Sequence, residues 1–370
     1  MQCKEVIKHI EEWAPKAIAW DRDNVGLQIG TAKRKIKNVM LSLDLNANVI
    51  EQALKKKCNF IITHHPLLFN PLTKIDTESD SKSKLVEKLI KNDVTLYSAH
   101  TNLDFTKDGV SFQLAKRLNL QNIKFLHHLN ENQTKLVVFV QEDNVEKVSN
   151  AIHRTGGGII GNYSNCSFRI KGTGTFKGTD KTNPAIGTKG KLESVDEIRL
   201  EVIVDNWKLS EVIIAMKSAH PYEEVAYDLY PLKNENGQYG MGTIGELKKP
   251  MIKKEFLNLV SKKLTAKNLR YSKGKKETIK RVAVCGGSCS DLLNEASELN
   301  ADAFITSDVK YHSFQDAEGK ILFIDAGHYE TEIHTIDEIQ KRLKLFLNKE
   351  KRIKVYKYSG STNPIIFYNN

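Results

Sequence analysis

Cysteine is scarce in this 370-residue sequence, and none of its five cysteines stands in a CxxC pair. The lack of such pairs excludes a zinc ribbon, and a small, odd number of cysteines argues against a disulfide framework. We therefore predict reduced thiols and a cytoplasmic protein. The five positions are Cys3, Cys58, Cys166, Cys285 and Cys289.

Long apolar runs are also missing. Residues 136–140 form one of the longer runs, far short of the roughly 20 residues that a transmembrane helix needs. Residues 1–7 carry charge inside their apolar stretch, which predicts an amphipathic helix and not a signal peptide. We expect no membrane partner.

The common phosphate-binding signatures are absent or out of context. The sequence contains no GxxxxGK[ST] motif, so a P-loop is excluded. Residues 240–245 satisfy GxGxxG, but no strand closely precedes them and the next helix begins only after Pro250. Because dinucleotide binding requires both a strand before and a helix after the motif, we predict a glycine-rich strand here.

Positive charge is in excess: 56 Lys and Arg residues oppose 45 Asp and Glu residues, for a net charge of +11. Such a field attracts nucleic acid or phosphorylated metabolites. The sequence nevertheless has no zinc finger, no RNP signature and no basic–aromatic platform. Its lysines are scattered over predicted helix faces, which favours a solvated surface, and nucleic-acid binding is an alternative without support from a motif.

Two parts of the chain repeat the same pattern. Near the front, a strand at residues 38–44 is followed by a helix and a second strand at 60–63, and near the back a strand at 281–287 is followed by a helix and a strand at 303–306. Thr63 comes 24 positions after Val39, and Thr306 likewise comes 24 positions after Val282. Short apolar strands that alternate with helices indicate βαβ units around a parallel sheet. We predict an α/β core built from two related halves.

The segment between the halves has a different pattern. Two strand–helix–strand units begin near residues 136 and 199, with further strands near 166–176 and 240–247. Two such units predict a ferredoxin-like α+β module. The expected organisation is a discontinuous metal-binding core at 1–125 and 246–370, interrupted by an inserted domain at 126–245.

Imidazole and carboxylate groups follow three of the predicted core strands. In parallel α/β sheets, ligands bind beyond the carboxyl ends of the strands, so we expect these groups to converge. They are His64 and His65 after the first strand, His100 and Asp104 after the second, and His328 and Glu332 after the third.

This donor set suits metal ions. Imidazole favours zinc, iron and nickel, whereas carboxylates bridge cations and suit magnesium and manganese. So many donors exceed the needs of one tetrahedral zinc with an open position, and they match a two-metal site with ions roughly 3.5–4 Å apart. The alternative is structural, with these residues acting as helix caps and satisfied loop histidines.

The motifs resemble those of the Ngg-interacting-factor-three-like family, whose members are GTP cyclohydrolase I type 2 homologues. The resemblance lies in residues 63–66 (Thr-His-His-Pro), 100–104 (His-Thr-Asn-Leu-Asp) and 327–332 (Gly-His-Tyr-Glu-Thr-Glu). Residues 20–30 are similar to the family's N-terminal motif. Residues 219–224 lie in a middle segment that resembles the insert of longer bacterial members, itself similar to PII and CutA modules.

The resemblance implies two divalent ions per chain (zinc, iron, manganese or similar), bridged by carboxylates and held by His64, His65, Asp104, His328 and Glu332. His100 matches the family pattern either as a weak ligand or as a residue behind the ligands. The resemblance also implies a toroidal homohexamer, a trimer of dimers, with the sites facing an internal cavity.

Two functions follow from these observations. One is a metal-dependent hydrolase of a small molecule, and the family name implies GTP, opened by water at the purine C8. Nothing in the residues themselves selects guanine or identifies a catalytic base. The other function is a non-enzymatic metal-binding scaffold or a regulatory sensor that acts through the insert, because a fold does not determine a function.

Overall fold

The computed structural model describes residues 1–368 and divides into two compact units. The first unit consists of Met1–His127 together with the chain from Tyr239 onward, and the second is His128–Gln238. The sequence placed the boundaries at 126 and 245, and a separable domain with those limits stays a prediction. Within the described residues, no helix is both long and apolar enough to cross a membrane.

Helices and strands alternate along most of the chain. The helices are α1 Cys3–Trp13, α2 Ala47–Lys55, α3 Ser81–Lys91, α4 Thr101–Asp104, α5 Val110–Arg117, α6 Val145–Arg154, α7 Leu209–Ala219, α8 Lys253–Leu264, α9 Leu293–Glu298, α10 Tyr311–Ala317, α11 His328–Glu332 and α12 Thr335–Phe346. The strands are β1 Gly26–Ile29, β2 Val39–Ser42, β3 Phe60–Thr63, β4 Thr95–Ser98, β5 Gln121–His128, β6 Gln133–Val140, β7 Phe168–Lys177, β8 Leu192–Asp205, β9 Tyr227–Leu232, β10 Gly240–Ile252, β11 Arg270–Tyr271, β12 Thr278–Val284, β13 Ala303–Thr306, β14 Leu322–Asp325 and β15 Val355–Lys357.

The first unit contains the two related halves that the repeat predicted. One sheet has the order β1-β4-β3-β2-β15, and the other has the order β11-β14-β13-β12-β10-β5. Within each, three strands are parallel (β2, β3, β4 and β12, β13, β14), and a short antiparallel strand closes one edge (β1 and β11). The α/β core with two related halves is therefore confirmed.

The parallel strands are short and apolar because both faces of each sheet are covered. Every residue of β2, β3, β4, β13 and β14 is buried, which explains their continuous apolar runs. On one face of the first sheet, Val49 and Ile50 of α2 pack with Met40 and Ile61. Full burial of one such side chain contributes about 1.5–3 kcal/mol.

Each sheet of the first unit also contains elements from the other half of the chain. Strand β15, near the C-terminus, pairs in parallel with β2, and Ile339 and Leu343 of α12 pack in the first sheet's core. Conversely, β5 joins the second sheet, and Leu114 of α5 packs in its core.

Strand β10 also lies in the second sheet, whereas the sequence boundary at 245 assigned the first residues of β10 to the insert. The glycine-rich strand predicted for 240–245 is confirmed as the start of β10.

The second unit has the element order β6-α6-β7-β8-α7-β9. Its strands form one antiparallel sheet in the order β7-β8-β6-β9. Val148 of α6 and Val212 of α7 pack on Leu136, Leu200 and Val202 of the sheet. This order is the β-α-β-β-α-β arrangement that the sequence pattern indicated, while a likeness to PII or CutA modules stays a prediction.

Candidate metal centre

The site lies in the first unit, where three parallel strands end. His64 and His65 directly follow β3. His100 immediately precedes α4 and Asp104 is its last residue, whereas His328 and Glu332 are the first and last residues of α11; these two helices follow β4 and β14. The two short helices repeat one motif: His100, the N-cap of α4, and Asp104 correspond to His328 and Glu332 on α11. A spacing of four residues places both side chains on the same side of a helix. Each half therefore contributes an imidazole and a carboxylate in the same way.

Glu332 lies at the centre of the cluster and is 3% exposed. Its Oε2 atom is 3.0 Å from Nε2 of His65, and its Oε1 atom is 3.1 Å from Nε2 of His328. His64 Nε2 lies 3.9 Å from Glu332 Oε1 and 3.6 Å from Asp104 Oδ1. The five residues predicted from the sequence as ligands are thus brought together.

Two overlapping groups of these side chains could each hold a metal ion. One group is His64, His65 and His100, and the other is His65, His328 and Glu332; within each group the ligand atoms lie within 4.8 Å of one another. His100, whose role the sequence left open, therefore faces the cluster. Asp104 stands beside these groups and approaches His64.

Several polar atoms at the centre are buried without a hydrogen bond. In the described part of the chain, no hydrogen-bond partner exists for Nε2 of His64, Nε2 of His65, Oδ1 of Asp104 or Oε2 of Glu332. The His65 and Glu332 atoms are close, but their orientation does not make a hydrogen bond. Buried polar atoms are nearly always paired, so four unpaired atoms among groups that could hold a metal ion make this cluster a candidate cation site.

Each imidazole is oriented by a partner on its other nitrogen. Nδ1 of His64 lies 2.8 Å from the carbonyl oxygen of Ala99. The remaining partners are carboxylates: Asp44 at 2.6 Å from His65 Nδ1, Asp23 at 2.9 Å from His100 Nδ1, and Asp308 at 2.5 Å from His328 Nδ1. Since each partner accepts a hydrogen bond, Nδ1 carries the proton and Nε2 is left to face the cluster. This arrangement is typical of metal-bound histidines.

The three orienting aspartates were missed by the sequence reasoning, although a signal was present. Asp44 and Asp308 each stand two residues after a parallel strand, β2 and β13, as His65 stands two residues after β3. The rule that found the ligands therefore points to them too. Asp23 lies in the loop at 20–30, where only the family resemblance marked a motif.

The electrostatics show how strongly these groups interact. Burial alone lowers the pKa of His65, but its contacts with Asp44 and Glu332 outweigh burial and raise the pKa to about 10. The same balance, with Glu332 and Asp308 as the partners, raises the pKa of His328 to about 9.

The pKa values of His64, Asp104 and Glu332 shift through burial and through their charged neighbours, with a different balance at each residue. Burial lowers the pKa of His64 to about 4. It raises the pKa of Asp104 well above its usual range, and the negative charge of Glu332 adds to that shift. Burial acts in the same direction on Glu332, but the imidazoles of His328, His64 and His65 outweigh it and lower the Glu332 pKa. These opposed shifts show that imidazoles and carboxylates of the cluster stabilise one another's charges, and a cation bound here would compete with protons for the same atoms.

A cavity of about 200 Å³ opens beside the cluster. Its lining combines the ligands Asp104, His328 and Glu332 with the apolar side chains of Trp20, Phe105, Met241 and Leu292 and with the loop at 285–289. Trp20 is 53% exposed and packs edge-on against Phe105. The cavity can therefore admit a small ligand between an apolar wall and the metal ligands.

One sequence prediction about the cysteines is wrong. Reduced thiols were expected throughout, but Cys285 and Cys289 form a disulfide, while Cys3, Cys58 and Cys166 are free. Cys285 follows β12 directly, and the turn through Gly286 and Gly287 brings Cys289 back to it, with 6.1 Å between the two Cα atoms. The spacing of four residues gave no motif from which to predict this pair.

Comparison with known proteins identifies close similarities over nearly the whole chain. Residues 1–364 match the family model described as Duf34/NIF3 (NGG1p interacting factor 3). The chain is 40% identical to a GTP cyclohydrolase 1 type 2 homolog of Halalkalibacterium halodurans over 365 residues, which is 98% of each chain. It is 37% identical to the protein of the same name in Bacillus subtilis, again over 98% of each chain.

Solved structures show the same similarity. A Bacillus cereus protein related to NIF3 superposes with a TM-score of 0.87 at 37% identity, covering 100% of this chain and 99% of that one. A Staphylococcus aureus protein superposes with a TM-score of 0.79 at 28% identity, with the same coverage.

Proposed function

The chain belongs to the Duf34/NIF3 family, as its motifs indicated, and on that premise we propose that it is a metal-dependent hydrolase. Its centre would hold two divalent ions, zinc, iron or manganese, between the two halves of the first unit. We assign the ligands to His64, His65, Asp104, His328 and Glu332, with His100 as a further donor beside the first three.

The observation that supports this proposal most is the set of four buried polar atoms, all on proposed ligands, that lack hydrogen bonds among the described residues. The geometry of Glu332 adds to it, because its two oxygens face different imidazoles, His328 and His65. A carboxylate placed in this way suits a bridge between two ions. The mixture of imidazole and carboxylate donors fits divalent transition metals.

Two bound divalent ions supply Lewis-acid chemistry, which activates water and stabilises negative charge on the substrate. The chain provides the positioning: Asp44 and Asp308 fix the rings of His65 and His328. On the cavity side, Trp20 and Phe105 form an apolar wall against which a planar substrate can stack. No side chain is assigned as a general base.

The name of the relatives directs the first substrate test to GTP. The corresponding reaction would be hydrolytic opening of the imidazole ring of guanine at C8. The protein is first stripped of metal with a chelator and reloaded with zinc, iron(II) or manganese. It should then contain close to two ions per chain and consume GTP. Mass spectrometry identifies the product.

The matched variants for this test are His64→Ala/His65→Ala and His312→Ala. The double variant removes two proposed ligands and should abolish both metal binding and turnover. The control removes the imidazole of His312, which is exposed on α10 and forms a surface hydrogen bond with Gln315. A double variant that keeps full metal content and turnover would contradict the proposal.

A second candidate function is a metal-binding scaffold regulated through the second unit. One observation favours it: that unit contains a cavity of about 460 Å³, lined by apolar side chains such as Phe139, Phe176 and Ile186 and by the carboxylate of Glu197. A metabolite screen by thermal shift tests it. A ligand that stabilises both the wild type and His64→Ala/His65→Ala, with no turnover by either, would favour the scaffold over the hydrolase.

We also propose that the chain assembles as a homohexamer, a trimer of dimers. The support is the family membership and the resemblance of the motifs. Native mass spectrometry of the purified protein measures the assembly directly, and a monomer at micromolar concentration would contradict it.

A further inference from the structure

A disulfide brackets the loop that forms one wall of the metal centre. Cys285 directly follows β12, and Cys289 precedes the 3-10 turn Ser290–Leu292. Both cysteines line the same cavity as His328 and Glu332. Between them lie Gly286, Gly287 and Ser288.

Hydrogen bonds connect the loop to α11, the helix that carries Glu332, and to the end of β13. The backbone N–H of Gly287 donates to Oγ1 of Thr331 at 3.1 Å. The carbonyl oxygen of Gly287 accepts from Oγ1 of Thr306 at 2.7 Å and from the N–H of Ser307 at 3.0 Å. The peptide of Gly287 therefore ties the end of β13 to α11, the helix that carries Glu332.

The loop also contacts the Glu332 carboxylate closely. Gly287 has a φ of +72°, and a Cβ atom at this position would lie only 2.4 Å from Oε1 of Glu332. Only glycine combines that backbone conformation with such a close approach. Because residue 287 has no Cβ atom, the loop can lie directly beside the Glu332 carboxylate, and a movement of the loop would open space around that carboxylate.

We propose that Cys285 and Cys289 are a reversible redox pair, and that their disulfide retains the metal ions by holding residues 286–288 against Glu332. This inference rests on the proposed metal centre. In the reduced protein, the Cys289 end keeps its backbone hydrogen bond to Oγ1 of Thr306 but loses the covalent link to Cys285. The loop then moves more freely beside Glu332, and the ions exchange with solvent faster.

The redox step is a thiol–disulfide exchange with a low-molecular-weight disulfide. The Cys289 thiolate attacks one sulfur of that disulfide and releases one small thiol, leaving a mixed disulfide. Cys285 then attacks the Cys289 sulfur and releases the second small thiol. The two cysteines together lose two protons and two electrons, and the small disulfide gains them. A dithiol runs the exchange in reverse.

The burial of the sulfurs supports this order and its selectivity. Cys289 is partly exposed and Cys285 is 4% exposed, so the reagent reaches Cys289 first. Cys3 and Cys58 are fully or almost fully buried, and burial raises the pKa of their thiols to about 11 and about 12. Since the thiolate is the reactive species, those two cysteines do not compete.

The test compares metal-loaded full-length protein treated with an oxidised small thiol or with a phosphine reductant. After denaturation and alkylation, intact mass should show three labelled cysteines in the oxidised protein and five in the reduced protein. Release of the ions to excess chromogenic chelator should be at least about tenfold faster from the reduced protein, which corresponds to roughly 1.4 kcal/mol of barrier.

Two variants provide controls. Cys289→Ser should release metal at the fast rate under both treatments, because it cannot form the disulfide. Cys166→Ser removes a free thiol of the second unit and should respond to oxidation as the wild type does. If Cys289→Ser fails to fold, the oxidised and reduced wild type give the same comparison.

The outcomes separate this inference from the proposed function. Five labels after both treatments would overturn the redox pair, whatever the metal content. Three and five labels with release rates within twofold of each other would overturn the role in metal retention. A protein that binds no ion in either state would overturn the proposed hydrolase and the control of metal together, while the labels would still establish whether the disulfide is reversible.

Discussion

Glu332 Oε2 lies 3.0 Å from Nε2 of His65, so a carboxylate from the second half of the core meets an imidazole from the first. The other oxygen of Glu332 faces His328, four residues away on its own helix. One side chain thus joins donors from the two halves. The cluster can form only when both sheets are folded and in register, so metal binding should report on the integrity of the whole first unit.

If the proposed centre holds about two ions per chain, Glu332→Ala should lose at least one of them, because the two oxygens of Glu332 face two different proposed ligands, His65 and His328. The variant also leaves the protonated imidazoles of His65 and His328 without their shared partner. Removing one member of a buried charged pair costs about 3–5 kcal/mol, so the metal-free variant should unfold at lower urea concentration. Elemental analysis and urea titration measure the two effects. Full retention of metal would contradict the assignment.

Asp44→Asn should weaken metal binding by about 10- to 100-fold, the usual cost of removing a carboxylate that orients a ligating histidine. Among the proposed ligands, Asp44 forms a hydrogen bond with His65, whose Nδ1 lies 2.6 Å from Oδ1 of Asp44. Competition against a chelator of known affinity measures the change. Asp316→Asn removes the same charge from an exposed position on α10 and should leave the affinity unchanged. Equal affinity in all three proteins would show that the orientation of His65 does not matter.

Much of this site could be predicted from the sequence because the ligands obey a simple rule. Four-residue apolar strands at equal spacing marked the parallel sheets, and polar residues just after them marked the edge where ligands converge. The exchange of β15 and α12 into the first sheet could not be predicted, since an apolar helix face does not specify which sheet it covers. Asp44 and Asp308 were missed because a carboxylate after a strand has many roles. The Cys285–Cys289 bond depends on a glycine turn, which spacing alone does not reveal.

Asp302→Asn should destabilise the core in a pH-dependent way. The Asp302 carboxylate accepts hydrogen bonds from the N–H groups of Lys280 and Arg281 at 2.8 Å each, and it pairs with Lys276 at 2.6 Å. Burial opposes ionisation, but these partners outweigh it and lower the pKa of Asp302. Hydrogen bonds to a charged group contribute about 1.5–3 kcal/mol, and we expect a loss of that order at pH 7.

The sign of the Asp302 effect follows from its lowered pKa. The folded state binds the proton less tightly than the unfolded state, so the stabilisation is present above the unfolded pKa, near 3.8, and is lost as pH falls through the folded value. Urea unfolding of wild type and variant should therefore differ most near neutral pH and converge as the pH falls below 3.8 toward the lowered folded pKa. A constant difference across that range would contradict the linkage.

Removal of the second unit should leave a folded, metal-binding core when the cut respects β5 and β10. The backbone of Gly240 lies against the carbonyl oxygen of His127, so the two cut ends are already adjacent and a short Gly/Ser linker can join His128 to Tyr239. The boundaries predicted from the sequence, 125 and 245, would instead delete Thr243 and Ile244, which pair with β12. The longer deletion should be less stable to heat by circular dichroism. An insoluble, metal-free protein from the shorter deletion would contradict the division into units.

Hydrolase activity, measured with excess metal, should depend on the ligands and not on the thiols. The Cys285→Ser/Cys289→Ser variant loses the disulfide but keeps every proposed ligand, and excess metal compensates for faster exchange. Its turnover should therefore stay within about tenfold of wild type, or roughly 1.4 kcal/mol of barrier.

Asp104→Ala should lower turnover far more than the cysteine variant does. It removes a carboxylate that lies 3.6 Å from His64 Nε2 and that would fix both the charge and the position of an ion. Chelation should abolish activity, and added divalent ion should restore it. Activity that survives chelation but is lost on alkylation of the thiols would replace the metal mechanism with a cysteine mechanism, even in a protein that binds the ions.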